Sequence, residues 1–550
     1  MILKNTFIAV FIRDNKAFFI IAFIAGIIGS ICTIFISLSI GSFYQLIFHS
    51  AGNKSRILSL LGFHAVKSIQ YFFVFYASLL FIKAISDWLF YYFSKVSANK
   101  LSRSIRDSLF ENQLNTRYDL FSQKSPPKYL LRYSGDLQAI QSFYVKGILV
   151  FIKDIVLLFI GFYCLFKINL VLSFILLAAV PLLFAINYLF NIPIRKLIKE
   201  KNDRKSDLLA FVTHCFHAIL SVKAFRKERI EAKRFHKKSE KLYKTSINYI
   251  FLYAFVQSVV PVFLYAVTGI VLFMVANKQI NINHGDLMAF VLLSILQFAA
   301  LRRVVKVETI WRAGNISLQK INMLLNTITE NSKIDSPVLP FHSIKFENLY
   351  LNETEAKEPL LNTYIMKGTI SFISCRNSEQ LIRILLGVTN INKGEILLNN
   401  SPLDKFTTSE LRRIFSFSSD YLPLYGKDLY EIIARSKKPG REDDIAKVLN
   451  DIGLDLVHNS LSLKTSLENN CVLLSLQDRK LISLARALLL NNPVLILDKP
   501  FDGLNEEIVF KCTGYLKSLL PEKTIIIITN IAEAVIKKAE ISADCLNNLN

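Results

Sequence analysis

The chain has 550 residues, 52% of them hydrophobic, with 43 Phe, a mean hydropathy of +0.37 and a formal net charge of +23. That is too long for one domain and too apolar for a wholly soluble protein. Residues 1–326 carry 40 Lys+Arg against 15 Asp+Glu, a net of +25, whereas residues 327–550 carry 26 against 28; the basic excess reads as a membrane-topology signal beside anionic lipid, and no nucleic-acid partner is expected.

At the start, "MILKNTFIAVFIRDNKAFF" reads as a short interfacial helix rather than a cleavable signal, because the apolar run after it is too long and lacks a small-residue cleavage site. Apolar runs of about 20 residues, the length that crosses a bilayer as helix, begin near Ala17, Ile69, Gly147, Leu170, Ile250 and Leu287. Six spans are expected. Most of the Lys and Arg lie in two long segments, residues 95–145 and 193–249. The positive-inside tendency therefore puts those segments, both termini and everything after the sixth span in the cytoplasm.

Charges inside the spans are costly and mark either a pathway or a pair that fixes the bundle. Lys83 and Asp87 lie four apart on one face of the second span, and Lys153 sits next to Asp154 in the third. The long segments themselves, such as "LSRSIRDSLFENQL", repeat apolar residues at three- and four-residue intervals among charges, which predicts helices continuing the spans out of the membrane.

A polar, proline-closed linker, "NTITENSKIDSPVLP", precedes a change of pattern. "SIKFENLYL", "GTISFIS", "GEILLNN", "PVLILD" and "KTIIIIT" are β-branched runs alternating with helical stretches such as "LQDRKLISLARALLL", which predicts an α/β domain. The expected division is a helical membrane domain over 1–326, a linker over 327–342 and an α/β domain over 343–550. Seven cysteines lack CxxC or metal-ligand spacing, so neither disulfides nor a metal site is expected.

The whole order resembles the ABC exporter half-transporters: six spans with long cytoplasmic helices, carried here by "LSRSIRDSLFENQLNTRYDLFSQKSPPKYLLRYSGDLQAIQSF", "ILSVKAFRKERIEAKRF" and "GDLMAFVLLSILQFAALRRVV", then an ABC ATPase-type module. The resemblance implies an all-α six-helix transmembrane domain, a cytoplasmic nucleotide domain, a multi-pass place in the bacterial inner membrane, and MgATP as cofactor.

The nucleotide motifs depart from the family's pattern. Aligned on "LLGV", Phe372 and Asn377 stand at the two glycines of GxxxxGK[ST], Ser378 at the lysine and Glu379 at the Mg-binding hydroxyl. Glycines let backbone N–H groups wrap phosphates, and the lysine and hydroxyl hold charge and metal; a carboxylate at that helix start would repel polyphosphate. Glu353 replaces the adenine-stacking aromatic, Ser419 the Q-loop glutamine, Lys499 the glutamate that polarises water, and Asn530 the switch histidine, whereas Asp498 matches the Walker B aspartate. The signature LSGGQ is read as "LLSLQ", with Leu474, Ser475 and Leu476 in place of serine and two glycines and Gln477 kept.

The expectation is an ATPase-type fold without catalysis: no cofactor in the chain's own site, MgATP at most on a partner, and Glu379 paired with Lys499 in place of magnesium and phosphate. The chain would supply half of a pathway, for a small-molecule, lipid or peptide substrate, to a second half-transporter in a hetero- or homodimer. The alternatives are an ATP-independent homodimeric membrane scaffold or receptor, and a decaying transporter copy.

Overall fold

The computed structural model describes residues 6–47, 69–122, 129, 132–277, 280, 282–327, 340–351, 361–375, 377–435, 440–455, 462–465 and 474–529. Glu353 and Asn530 lie outside them. The chain divides into two compact units near residue 327, with residues 115–123 grouped with the second.

The first unit is helical. A short helix α1 (Thr6–Asp14) precedes α2 (Lys16–Ile47) and α3 (Ile69–Leu114). A small helix α4 (Tyr118–Ser122) belongs with the second unit. Then follow α5 (Arg132–Ile168), α6 (Leu170–His217), α7 (Ile219–Ala224), α8 (Glu228–Ala276) and α9 (His284–Leu325). Six of these are long and apolar enough to cross a membrane. Helix α6 starts because the Asn169 side chain accepts from Leu172 N at 3.1 Å, satisfying one of the orphan donors of the first turn.

Small residues let the helices of this unit approach closely. Gly161 on α5 faces buried Gln297 on α9, whose Nε2 also donates to Leu157 O at 3.3 Å. A Cβ at Gly161 would fall 1.4 Å from that nitrogen. Gly314 on α9 similarly leaves room for the ring of Phe143. Two π-helical turns, Arg132–Asp136 and Phe143–Val150, interrupt α5; the apolar periodicity of the sequence carried no sign of them.

Among the described residues the second unit holds two sheets. One is antiparallel in the order β2 (Leu361–Met366), β1 (Ser343–Tyr350), β4 (Lys393–Leu398), β5 (Ser401–Pro402). The other is parallel in the order β3 (Ile370–Ser374), β8 (Thr524–Thr529), β7 (Val494–Asp498), β6 (Phe415–Ser418). Every residue of β6, β7 and β8 is buried, as expected for parallel strands covered on both faces. One core packs Ile344, Phe346, Leu381, Leu385 and Phe415 together, and another packs Leu481, Ile482, Leu497 and Ile525.

The helices of this unit that shape the site are α10 (Ser378–Leu385), α11 (Thr408–Ile414), α12 (Leu429–Ala434), α13 (Glu442–Asp451), α14 (Leu476–Leu488) and α15 (Glu506–Ser518). The short strands β2, β5 and β6 were not anticipated. "FSFS" is only four residues long and "LNTYIM" begins with two adjacent polar residues, Asn362 and Thr363, so their pairing partners select them as strands.

Candidate functional site

The carboxyl ends of parallel strands, where an α/β sheet receives its ligand, are occupied here by β3, β7 and the loops that leave them. Strand β3 ends at Ser374 and α10 begins at Ser378. Only three residues, 375–377, connect them. Phe372 therefore lies inside β3, paired with Ile527, and cannot be the first position of a phosphate loop. The ungapped alignment misplaced it because it assumed a loop of full length.

A strand–GxxxxGK[ST]–helix turn needs several successive backbone N–H groups curved around an anion. Three residues do not provide them. The start of α10 is satisfied from within: Asn377 is the N-cap, and its Oδ1 accepts from Gln380 N at 3.2 Å. Ser378, at the lysine position, is buried.

Asp498 ends β7 and is 7% exposed. Its Oδ2 accepts from the Ser419 hydroxyl at 2.8 Å. The Ser378 hydroxyl faces the same carboxylate and steadies its charged form, but no hydrogen bond of full geometry reaches Oδ1, which is buried. Burial pushes the Asp498 carboxyl above the ordinary range, against the pull of the two serines and Lys499. Three motif positions assigned separately from sequence, Ser378, Ser419 and Asp498, thus form one internal polar cluster.

Glu379 and Lys499 do not pair. Glu379 is bonded one turn along α10 to Arg383, an i,i+4 geometry that a helix offers without tertiary help. Arg383 in turn donates to the Tyr118 hydroxyl at 3.3 Å and stacks on its ring. Lys499 has a left-handed backbone, φ 46°, fixed because its N–H donates to Ile528 O at 3.0 Å and its carbonyl accepts from Lys480 Nζ at 3.0 Å. The cavity lined by Lys499, Phe372 and Thr529 has a volume of about 10 Å³, the scale of a single water.

At the signature, Ser475 is the N-cap of α14 and forms a capping box with Asp478: Ser475 Oγ accepts from Asp478 N at 3.0 Å, and Asp478 Oδ2 accepts from Ser475 N at 3.3 Å. Counting back from the retained "LARAL", the helix start makes Ser475 the counterpart of the signature serine, with Leu476 and Gln477 at the glycines and Leu474 buried before it. This corrects the sequence register by one residue. Ser475 has φ −62°, and none of residues 474–477 is among those with positive φ, so nothing here needs glycine.

In the helical unit the intramembrane charges pair differently from their order in sequence. Lys153 does not bond Asp154: adjacent residues on a helix project about 100° apart. Lys153 Nζ instead donates to Asp87 Oδ1 at 2.9 Å, and Lys83 Nζ, one turn before Asp87, donates to its Oδ2 at 3.2 Å. Asp154, 2% exposed, receives Arg303 in a two-pronged contact of 2.6 and 2.8 Å. Arg303 lies 149 residues from Asp154 in sequence, so nothing local in the sequence announces the pair.

Residues 19–301, more than half of the chain, match the family model of the ABC transporter transmembrane region, and residues 380–502 match that of the ABC transporter domain. The second match begins after the three-residue loop. Among curated relatives, the ATP-dependent lipid A-core flippase of Nitrosococcus oceani is 22% identical over 82% of this chain and 78% of its own length. The flippase of the same name in Haemophilus influenzae is 22% identical over 85% and 81%, and a Rickettsia felis protein named for export, ATP binding and permease function is 22% identical over 90% and 86%. The chain belongs to the ABC transporters, as a half-transporter of the exporter type: a multi-pass membrane protein whose nucleotide domain is cytoplasmic.

Proposed function

From an ABC exporter half-transporter as premise, we propose that this chain is the non-hydrolysing member of a pair. It supplies half of the substrate pathway and a folded nucleotide-domain platform, while a second half-transporter supplies ATP hydrolysis. The observation that carries this reading is the three-residue connection between Ser374 and Ser378, together with a Walker B aspartate held by Ser419 at 2.8 Å. On this reading the cradle, its lysine and its metal hydroxyl are lost together, and any one of these losses removes a large part of the binding free energy.

The substrate, on this reading, is an anionic amphiphile. Lys83, Lys153 and Arg303 come from three different spans and, among the described residues, face two intramembrane carboxylates, Asp87 and Asp154. A surplus cation in a low-dielectric bundle favours a ligand that brings negative charge. The relatives named as lipid A-core flippases support a lipid of that kind.

The test is affinity purification of the tagged chain from its native membranes in mild detergent, with mass identification of stoichiometric companions. Recovery of a second half-transporter with intact nucleotide motifs, and ATPase activity in that pair, is the expected result. Recovery of the chain with itself alone would favour the ATP-independent homodimeric scaffold instead.

A further inference from the structure

The cytoplasmic parts of the chain hold two exposed apolar surfaces that the transport reading does not use. One is the end of a helical hairpin: α6 packs along α8, and α7 closes the turn between them. No residue of α7 is buried; Leu220 on it and Phe225 just after it are 81% and 72% exposed. The other is a groove in the nucleotide unit, about 480 Å³ in volume, lined by Phe415 and Phe417 of the edge strand β6 and by Tyr425, Arg412, Arg435 and Arg486. We propose that this groove takes an apolar, carboxylate-bearing helix end of a different chain, and that its arginines refuse a second copy of this one.

Charge on the groove is uncompensated. Among the described residues no carboxylate lines it, and neither Arg435 nor Arg486 joins an ion pair. Arg486 is pinned to the wall by donating to the carbonyls of Leu422 and Pro423, at 3.1 Å each. Burial, and then the charge of neighbouring Arg435, push its guanidinium below the ordinary value. Two neighbouring cations without a counter-charge favour an occupant that brings one. Aromatic and Arg side chains around an apolar floor are the composition of a protein-binding surface, which selects a segment of protein over a small anion.

The hairpin end has the same sign. From Ile219 to Glu231 it carries Lys223, Arg226, Lys227 and Arg229 against Glu228 and Glu231. Both carboxylates are engaged within the hairpin, Glu228 by Lys223 at 3.4 Å and Glu231 by Arg234 at 2.7 Å, so the exposed Arg226, Lys227 and Arg229 set its charge. A closed dimer of identical chains matches its surfaces reciprocally. Whether hairpin end meets groove, or each meets its own copy, cations would face cations, and that juxtaposition rejects the assembly. An acidic apolar helix end is the groove's complement. The inference deepens the pairing proposed above and rests on it only in taking the other chain to be the second half-transporter.

The experiment uses the full chain in mild detergent and two labelled peptides, with binding read by fluorescence anisotropy. One peptide is the chain's own residues 216–231; the other is the same peptide with Lys223→Glu, Arg226→Glu, Lys227→Glu and Arg229→Glu. The acidic peptide should bind roughly tenfold more tightly, the size of one charge-assisted contact. Arg412→Glu with Arg435→Glu in the full chain, both at exposed positions, should invert the preference, and an inversion, unlike a loss, is not what misfolding gives. Equal binding of the two peptides, binding of neither, tighter binding of the native one, or an unchanged preference in the variant would overturn the proposal. Displacement of the acidic peptide by inorganic pyrophosphate at similar concentrations would assign the groove to a small anion and overturn the helix assignment. Neither peptide needs a second half-transporter, so a failed co-purification would count against the pairing and not against the groove.

Discussion

Ser419 donates its hydroxyl to Asp498 across 2.8 Å, joining the Q-loop position directly to the Walker B position. Each is the other's partner, and the carboxylate is buried in the domain interior. Its second oxygen is buried and unbonded, which makes the charged form of Asp498 costly to the fold.

That cost has a pH signature. Burial raises the Asp498 carboxyl in the folded protein, so the folded state binds its proton more tightly than the unfolded chain does. The stabilising contribution is fully present below the ordinary carboxylate range and is lost as pH rises through the raised folded value. Asp498→Asn keeps an acceptor for Ser419 and removes the charge. It should stabilise the chain at neutral pH by about 1 kcal/mol and flatten this part of the pH dependence, read as melting temperature against pH in detergent.

Nucleotide binding should be refractory to point repair. The purified chain should show no saturable MgATP binding by isothermal titration, and Ser378→Lys with Glu379→Ser and Lys499→Glu should show none either. Saturable binding by that triple variant would mean that three residues suffice for a phosphate cradle, contrary to the backbone requirement.

The Asp154–Arg303 pair is asymmetric, with side-chain exposures of 3% and 49%. Removing the cation strands a buried carboxylate, and removing the carboxylate leaves a cation that still reaches a wetter place. Arg303→Gln should therefore destabilise by about 3–5 kcal/mol and Asp154→Asn by distinctly less. Thermal unfolding in detergent of both variants and of the double variant reads the ranking; equal costs would contradict it.

Helix contact at Gly161 gives a packing test. Gly161→Ala must displace Gln297 from its site beside Leu157 O and should cost about 1–3 kcal/mol. Truncating the obstacle, Gln297→Ala, in the same molecule should return part of that loss, which a double-mutant cycle would measure as a favourable coupling.

The six spans and the α/β unit were legible in the sequence because each rests on a strong local pattern: apolar runs of bilayer length, and β-branched runs between helices. The departures of Ser378, Ser419, Glu379 and Lys499 from the motifs were also legible, since identity needs no geometry. Pairing was not. Glu379 could reach Arg383 on its own helix, whereas the Glu379–Lys499 reading weighed only the two motif replacements; Lys153 and Asp154, neighbours in sequence, diverge on a helix and find Asp87 and Arg303 on other spans. The length of the phosphate loop could have been counted from the end of "GTISFIS" to the helical "SEQLIRILL". Alignment by motif positions concealed the shortfall by sliding Phe372 out of its strand.

The short connection after Ser374 sets a direction on descent. A substituted lysine or glutamate lies one codon from recovery, and selection could pass through either repeatedly. Missing backbone lies behind an insertion that must arrive in frame, at one bond, and beside Asn377, which already caps the helix. If the chain is the non-hydrolysing partner proposed above, the domain is free to drift at Ser378, Ser419 and Lys499 and constrained where it meets other surfaces, so a lineage carrying this chain should keep variation in the first class and hold the second fixed.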